Sequence, residues 1–246
     1  MRLTVDIKEL RLVTSTEDNV LLKDICFDLQ EKSIYTILGK NGSGKSTLIK
    51  SLTGLLDKRF YMVRGSIIAD NVEITTATER ELMKIREEKI KYVFQDAVNS
   101  FDPLRKLGYY FKRFRLDKNE SEEILRYFLL PPLNELSQMY PYELSGGMIQ
   151  RFSFVISLLM KPELLILDEP TSGIDPAIAN LFLLKIKEFI SGDKKVVLLV
   201  TQDIEFAKSA GGFTAHISGG VFSGFRPNEE YFDSEQILFK KGWNEL

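Results

Sequence analysis

Cysteine occurs once in the 246 residues, at Cys26, so the chain can close no internal disulfide. Long apolar runs are missing too. A membrane span needs roughly 18 consecutive apolar residues, and the longest stretches are short ones such as 164–167 and 196–200. The opening Met1-Arg2-Leu3-Thr4-Val5-Asp6 has a base and an acid where a signal peptide needs an apolar stretch. These absences read as a cytoplasmic protein that works at a membrane only through another chain. Neither sign of charge dominates: Lys and Arg number 33 against 35 Asp and Glu, a net charge of −2. No long-range field therefore draws the chain to nucleic acid or anionic lipid, and such a partner would need a local patch. Internal repeats and low-complexity linkers are absent as well. A composition 44% hydrophobic and 28% charged, at this length, suits one large globular domain and excludes disorder and collagen-like repeats.

The apolar segments alternate between short strand-like runs and longer helical patterns, as a mostly parallel sheet with helices on both faces requires. Residues 33–38 are β-rich and stop at Gly39. From Ser46 the apolar residues Leu48, Ile49, Leu52 and Leu55 take helical spacing until Gly54 breaks it. Residues 63–74 and 90–94 read as strands, and 105–130 as helical, with Ser121-Glu122-Glu123 as a helix start and Pro131-Pro132 as its end. Ser145 is placed to cap a helix with Met148, Ile149, Phe152, Val155, Ile156 and Leu159 on one stripe, closed by Pro162. A buried strand follows at 164–167. Asp175-Pro176 opens a helix with Ile178, Leu181, Phe182, Ile186 and Phe189 inward until Gly192, and 196–200 is the next buried strand.

Gly39-Lys40-Asn41-Gly42-Ser43-Gly44-Lys45-Ser46 fits the phosphate-loop pattern of Gly, four residues, Gly, Lys, Ser or Thr, between the strand and the helix that the mechanism requires. The glycines let successive N–H groups point at phosphates and the helix N-terminus adds its dipole. Lys45 neutralises charge, and the Ser46 hydroxyl reaches Mg²⁺. Thr47, next on the helix, joins this ATP-binding set. A Gly-rich turn that binds nothing is the alternative, and the strand and helix flanks argue against it. Such a site also needs a carboxylate for the metal at the end of a buried strand, and Leu164-Leu165-Ile166-Leu167-Asp168-Glu169 supplies it. Asp168 is the expected metal partner. Glu169, one residue on, is the expected base that holds and polarises the attacking water. An Asp-Glu pair after a strand is by itself often a solvated loop or a cap, and the phosphate loop in the same chain gives it a purpose.

Leu144-Ser145-Gly146-Gly147-Met148-Ile149-Gln150, upstream of Asp168, resembles the signature motif of ATP-binding cassette (ABC) ATPases. With the phosphate loop, Gln95 in Val93-Phe94-Gln95-Asp96 and Ser172-Gly173-Ile174-Asp175, the resemblance spans about 6–224 in matching order. It implies an α/β fold: a P-loop NTPase cassette with a RecA-like parallel core sheet, an N-terminal antiparallel β subdomain and a helical signature subdomain. Within a single domain 1–246, the nucleotide-binding core with its β subdomain falls at 1–95 and 162–224, the helical subdomain at 96–161 and a tail, containing Trp243, at 225–246. The resemblance further implies that Gln95 senses the γ-phosphate and Mg²⁺, and that Asp175 belongs to the D-loop. Ser145, Gly146, Gly147 and Gln150 would face ATP held by a second, identical or homologous, ABC subunit. A helix N-terminus with exposed N–H groups at Ser145-Gly146-Gly147 suits that second anion contact.

Residues 94–104 and Tyr140-Pro141-Tyr142-Glu143 before the signature look like the peptide and nickel importer branch. That branch implies two integral membrane permease subunits, an extracytoplasmic binding protein indirectly, and a peripheral place on the cytoplasmic face of the membrane. The basic, Pro-containing C-terminal extension many of its members carry is missing. Two departures from the family matter more. No Phe, Tyr, Trp or His precedes Phe27, so the aromatic that stacks on adenine is lacking; Arg11 stacking or Val13 packing are candidate substitutes, and a weakened base preference is expected. Gln202, in Val200-Thr201-Gln202-Asp203, stands where the family has a switch histidine. Glutamine exchanges hydrogen bonds but holds no proton near neutral pH, so slow hydrolysis is expected. His216, in the strand-like run 213–217, reads as structural.

Arg105, Lys106, Lys112, Arg113 and Arg115, interleaved with Tyr109, Tyr110, Phe111 and Phe114, have the composition of a stacking, phosphate-binding surface. Their position beside the Q-loop favours a permease-docking subdomain or a plain subdomain core over nucleic acid. The function expected is thus an ATPase subunit energising an importer for peptides, nickel or a related metal or small solute. A near-silent regulatory subunit of an asymmetric pair and a soluble ABC ATPase without a permease are the alternatives.

Overall fold

The computed structural model describes residues 1–234; Trp243 lies outside the described residues. Eleven strands form one sheet among them. β1 (Leu3–Val13) pairs antiparallel with β2 (Asp18–Leu29) on one side, and on the other with β4 (Tyr61–Ala69), whose outer edge carries β5 (Val72–Glu73). β3 (Ser33–Leu38) is the second strand of a parallel set of five. Its neighbours are β8 (Val196–Thr201) and β9 (Phe213–Ser218), and beyond β8 lie β7 (Leu164–Asp168) and β6 (Ile90–Val93). β10 (Val221–Phe222) bridges the two halves, parallel to β2 and antiparallel to β9, and β11 (Arg226–Pro227) flanks β9. The loops after β3, β6, β7 and β8, which carry Gly39, Gln95, Glu169 and Gln202, leave the carboxyl ends of these parallel strands, where open α/β sheets bind ligands.

Period-two alternation sorts the parallel strands between two cores. Leu164 and Ile166 of β7, and Val196, Leu198 and Val200 of β8, pack with Leu48, Ile49 and Leu52 of α1 (Lys45–Leu52). Their neighbours Leu165, Leu167, Val197 and Leu199 face the other way. There they meet Phe152, Val155 and Ile156 of α6 (Gly146–Leu159) and Phe182 and Ile186 of α7 (Pro176–Ile190). Phe154 and Phe182 stack with centroids 4.4 Å apart, and Phe128 meets both edge-on. Burying one such ring stabilises the chain by roughly 1.5–3 kcal/mol.

Local chemistry explains where several elements differ from the sequence reading. The strand expected over 63–74 breaks into β4 and β5 because Asp70, with φ 52, turns the chain. Helix α2 (Glu79–Glu88), which periodicity did not reveal, starts on a capping box in which Thr78 and Glu81 satisfy each other's backbone N–H groups. The helical stretch expected over 105–130 is two helices, α3 (Gly108–Arg113) and α4 (Lys118–Tyr127), separated at Arg115, where φ is 52. The cap of α4 is Asp117 and not Ser121, whose hydroxyl donates back to the Asp117 carbonyl inside the helix. Pro132 then leads into a short α5 (Leu133–Leu136). From 225, where a tail is expected, the chain forms β11 and α9 (Asn228–Ser234). These follow α8 (Ile204–Ala210), and Tyr231 and Phe232 of α9 are buried with Leu38 and Ala207.

Candidate nucleotide site

The loop 39–44 joins β3, which lies between β9 and β8, to α1. Gly44 caps α1 in the left-handed region, φ 100, with the Leu22 side chain 2.7 Å from where a Cβ would sit, so no larger residue fits there. Lys45 is buried, and its Nζ folds back to donate to the Gly39 carbonyl at 2.8 Å and the Lys40 carbonyl at 2.9 Å. Asn41, Gly42, Gly44, Lys45, Ser46 and Thr47 border one cleft with Gln95 and Glu169. Ser46 also borders the adjoining cleft, with Tyr92, Phe94, Gln95 and Asp168. Ser43 lines a third hollow with Lys40, on the β10 side of the loop.

Asp168 closes β7 and is 2% exposed. Tyr92, on the neighbouring β6, donates its hydroxyl to Asp168 Oδ2 at 2.7 Å, while Oδ1 is buried without a hydrogen-bond partner. Burial, then the Asp168 charge, raises the phenol pKa, so Tyr92 stays a donor. Glu169, 4% exposed, has φ 47, a left-handed conformation that costs about 1–3 kcal/mol in a residue with a Cβ. Its N–H donates to the Val200 carbonyl at 2.8 Å. Glu169 Oε2 accepts from Thr201 Oγ1 at 3.0 Å and from the Gln202 backbone N–H at 3.2 Å. Its Oε1 has no hydrogen-bond partner and lies 3.6 Å from Lys45 Nζ. Burial raises the Glu169 pKa, and the Gln202 N–H, the Lys45 charge and the Thr201 hydroxyl pull the other way. Each carboxylate thus has one oxygen hydrogen-bonded by the protein and one buried oxygen without a hydrogen bond, that of Glu169 facing the Lys45 charge.

A buried carboxylate oxygen with no hydrogen-bond partner, on a residue that lines one cleft with Ser46, suits a hard cation such as Mg²⁺, which takes one or two protein oxygens and completes its shell with phosphates and water. Among the described residues no cluster of three or more His, Cys, Asp or Glu could hold a metal unaided.

The remaining expected site residues divide. Gln95, just past β6, is exposed at the mouth of both clefts. The Gln202 side chain is exposed, and its backbone, not its amide, reaches Glu169. Ser145 caps α6 by accepting from the Met148 N–H at 3.3 Å, with exposed Gly146 following, while Asp175 caps α7 by accepting from Ala177 N–H at 2.8 Å. Ser172, at the start of the expected D-loop, borders the cleft with Ser46 and Asp168, whereas Asp175 and the signature residues border neither cleft at the phosphate loop. Gln150 departs from expectation: it is 5% exposed and packed inside its own fold, so it presents no surface to a partner's ATP. The reason is its place on the inner side of a helix buried nearly all round. Arg11, offered as an adenine contact, has its guanidinium engaged by Asp18 at 2.9 Å and Glu9 at 3.3 Å. His216 lies on β9, its Nδ1 3.0 Å from the Tyr231 hydroxyl. Phe111 is buried in the helical layer, whereas Tyr109 is exposed with Arg105 over its ring.

Tyr92 and Thr201 escaped the sequence reading. Each sits in an apolar strand run, and only the strand registry puts it beside an acidic residue.

A family model described as ABC transporter matches residues 22–172. The oligopeptide transport ATP-binding protein OppD of Haemophilus influenzae is 32% identical over 247 residues, covering 96% of this chain and 74% of that protein. The dipeptide transport ATP-binding protein DppD of Caldanaerobacter subterraneus is 33% identical over 254 residues, covering 98% of this chain and 78% of that one. Among solved structures, a dimeric post-hydrolysis state of the ATP-binding cassette MJ0796 bound to ADP and Pi superposes with a TM-score of 0.78 at 24% identity, covering 93% of this chain and 99% of that one. That likeness carries the fold, as the resemblance implied it: an ABC cassette. The chain belongs to the ABC transporter family of ATP-binding proteins.

Proposed function

We propose that the chain binds and hydrolyses ATP with Mg²⁺ to power a membrane importer of peptides, nickel or a related small solute. The observation that carries this is the paired arrangement of Asp168 and Glu169, each buried, each with one oxygen that has no hydrogen-bond partner, and each lining a cleft with residues of the phosphate loop. The loop N–H groups and Lys45 bind the β- and γ-phosphates, Lys45 exchanging its two carbonyl partners for phosphate oxygens. Ser46 and Asp168 Oδ1 would hold Mg²⁺ with Gln95 beside them, and the ion, when bound, neutralises charge on the phosphates. Glu169 takes a proton from the attacking water. The water oxygen bonds to the γ-phosphorus, the bond to the bridging oxygen breaks, and ADP and phosphate leave. Its raised pKa makes the carboxylate a better proton acceptor than an exposed glutamate. Gln202 orients this water or the γ-phosphate without supplying charge.

The Ser145-Gly146-Gly147 end of α6, exposed at Ser145 and Gly146 and half-buried at Gly147, completes the site of a second cassette, head to tail. Residues 96–161 form the helical signature subdomain between core segments 1–95 and 162–224. No helix among the described residues is long and apolar enough to cross a membrane, which suits a peripheral subunit under two permeases on the cytoplasmic face. The substrate class rests on the peptide transporter relatives. Single-turnover and steady-state hydrolysis by the wild type and Gln202→His tests the enzyme, and co-purification with integral membrane proteins tests the importer. The reading fails if the chain binds ATP and neither form turns it over.

A further inference from the structure

We propose that Tyr92 is a positioning residue for the metal: its hydroxyl fixes the rotation of the Asp168 carboxylate so that Oδ1 alone is presented to Mg²⁺. This rests on the reading of Asp168 as the metal carboxylate. β6 and β7 run parallel, with Tyr92 registered against Ile166, two residues before Asp168. From that place the phenol spans to Oδ2 and donates at 2.7 Å, while Oδ1 is buried with no donor in reach. A carboxylate free to turn would offer either oxygen or both. One tethered at Oδ2 offers a single oxygen in one direction. Tyr92 lines the cleft shared by Ser46 and Gln95, and its hydroxyl, spending its proton on Oδ2, is a neutral donor there. The ring itself is held against Phe94, centroids 4.0 Å apart, so the donor has a fixed origin. Partners of this kind, one bond removed from the metal, typically change metal affinity by 10–100-fold when lost.

The test measures how strongly Mg²⁺ tightens nucleotide binding by the full chain. A fluorescent, non-hydrolysable ATP analogue is titrated with Mg²⁺ present and with EDTA, and the ratio of the two affinities is the readout. Tyr92→Phe removes one oxygen and keeps the ring on Phe94. The expected result is a ratio reduced about tenfold with the EDTA affinity unchanged, and Asp168→Asn abolishes the ratio. If Tyr92→Phe keeps the wild-type ratio while Asp168→Asn loses it, the positioning role is overturned and the Asp168 reading stands. If Asp168→Asn also keeps the ratio, that reading falls and this one with it. A Tyr92→Phe chain that loses EDTA affinity too overturns the proposal, because the hydroxyl then supports the pocket as a whole.

Discussion

Glu169 Oε1 and Lys45 Nζ stand 3.6 Å apart, both buried, one after β7 and the other opening α1. The gap is longer than a hydrogen bond, and each group has other partners: Lys45 two carbonyls, Glu169 two donors on its second oxygen. Lys45 can therefore move to a phosphate without leaving Glu169 unsupported.

Glu169→Gln separates activity from stability. Turnover falls about 10²–10⁴-fold, as when a general base is removed, while nucleotide affinity is retained. Because the folded pKa of Glu169 lies above its unfolded value, its favourable contribution exists at acidic pH and is lost as pH rises through the folded value. At neutral pH the buried charge is a cost, which glutamine removes. Calorimetry is expected to give a Tm higher by about 2–4 °C at pH 7–8, the gain vanishing toward the usual carboxylate range. A gain that grows on acidification would contradict the sign.

Thr201→Val and Gln202→Ala should differ in kind. Thr201 gives Glu169 a hydroxyl donor that holds its pKa down, so losing it raises that pKa and moves the acid limb of the kcat profile to higher pH. Turnover drops about tenfold, the scale of one hydrogen bond to a charged group. Gln202→Ala keeps its backbone N–H on Glu169, so the limb stays in place. Full pH–rate profiles of both variants decide this.

Lys45→Ala removes the one buried cation at the loop among the described residues. Equilibrium binding of ATP is expected to weaken by at least about tenfold, since a hydrogen bond to a charged group contributes roughly 1.5–3 kcal/mol.

Thr78→Ala breaks the capping box of α2, away from the clefts. The chain loses about 1 kcal/mol in denaturant unfolding, with turnover unchanged.

Much of this molecule was legible because its signals are short-range. The phosphate loop, the caps at Ser145 and Asp175, and the Asp168-Glu169 pair each lie within a few residues of the turn that shapes them, where backbone sterics and i to i+4 contacts act. The capping box at Thr78 and Glu81 was equally local and equally readable. The antiparallel half of the sheet came only through resemblance, since alternation of polar and apolar residues does not name a strand's neighbour.

What the tertiary structure alone decided is which oxygens are occupied. Tyr92 reaches Asp168 across 76 positions of sequence and Thr201 reaches Glu169 across 32. The inward face of Gln150 follows from helices closing around α6. Those facts depend on strand order and register. The sequence by itself singled out a phosphate-loop pattern at Lys45 and Ser46 and an acidic pair at Asp168 and Glu169, because each pattern is local to one turn. Packing between distant segments determined how its carboxylates are aimed.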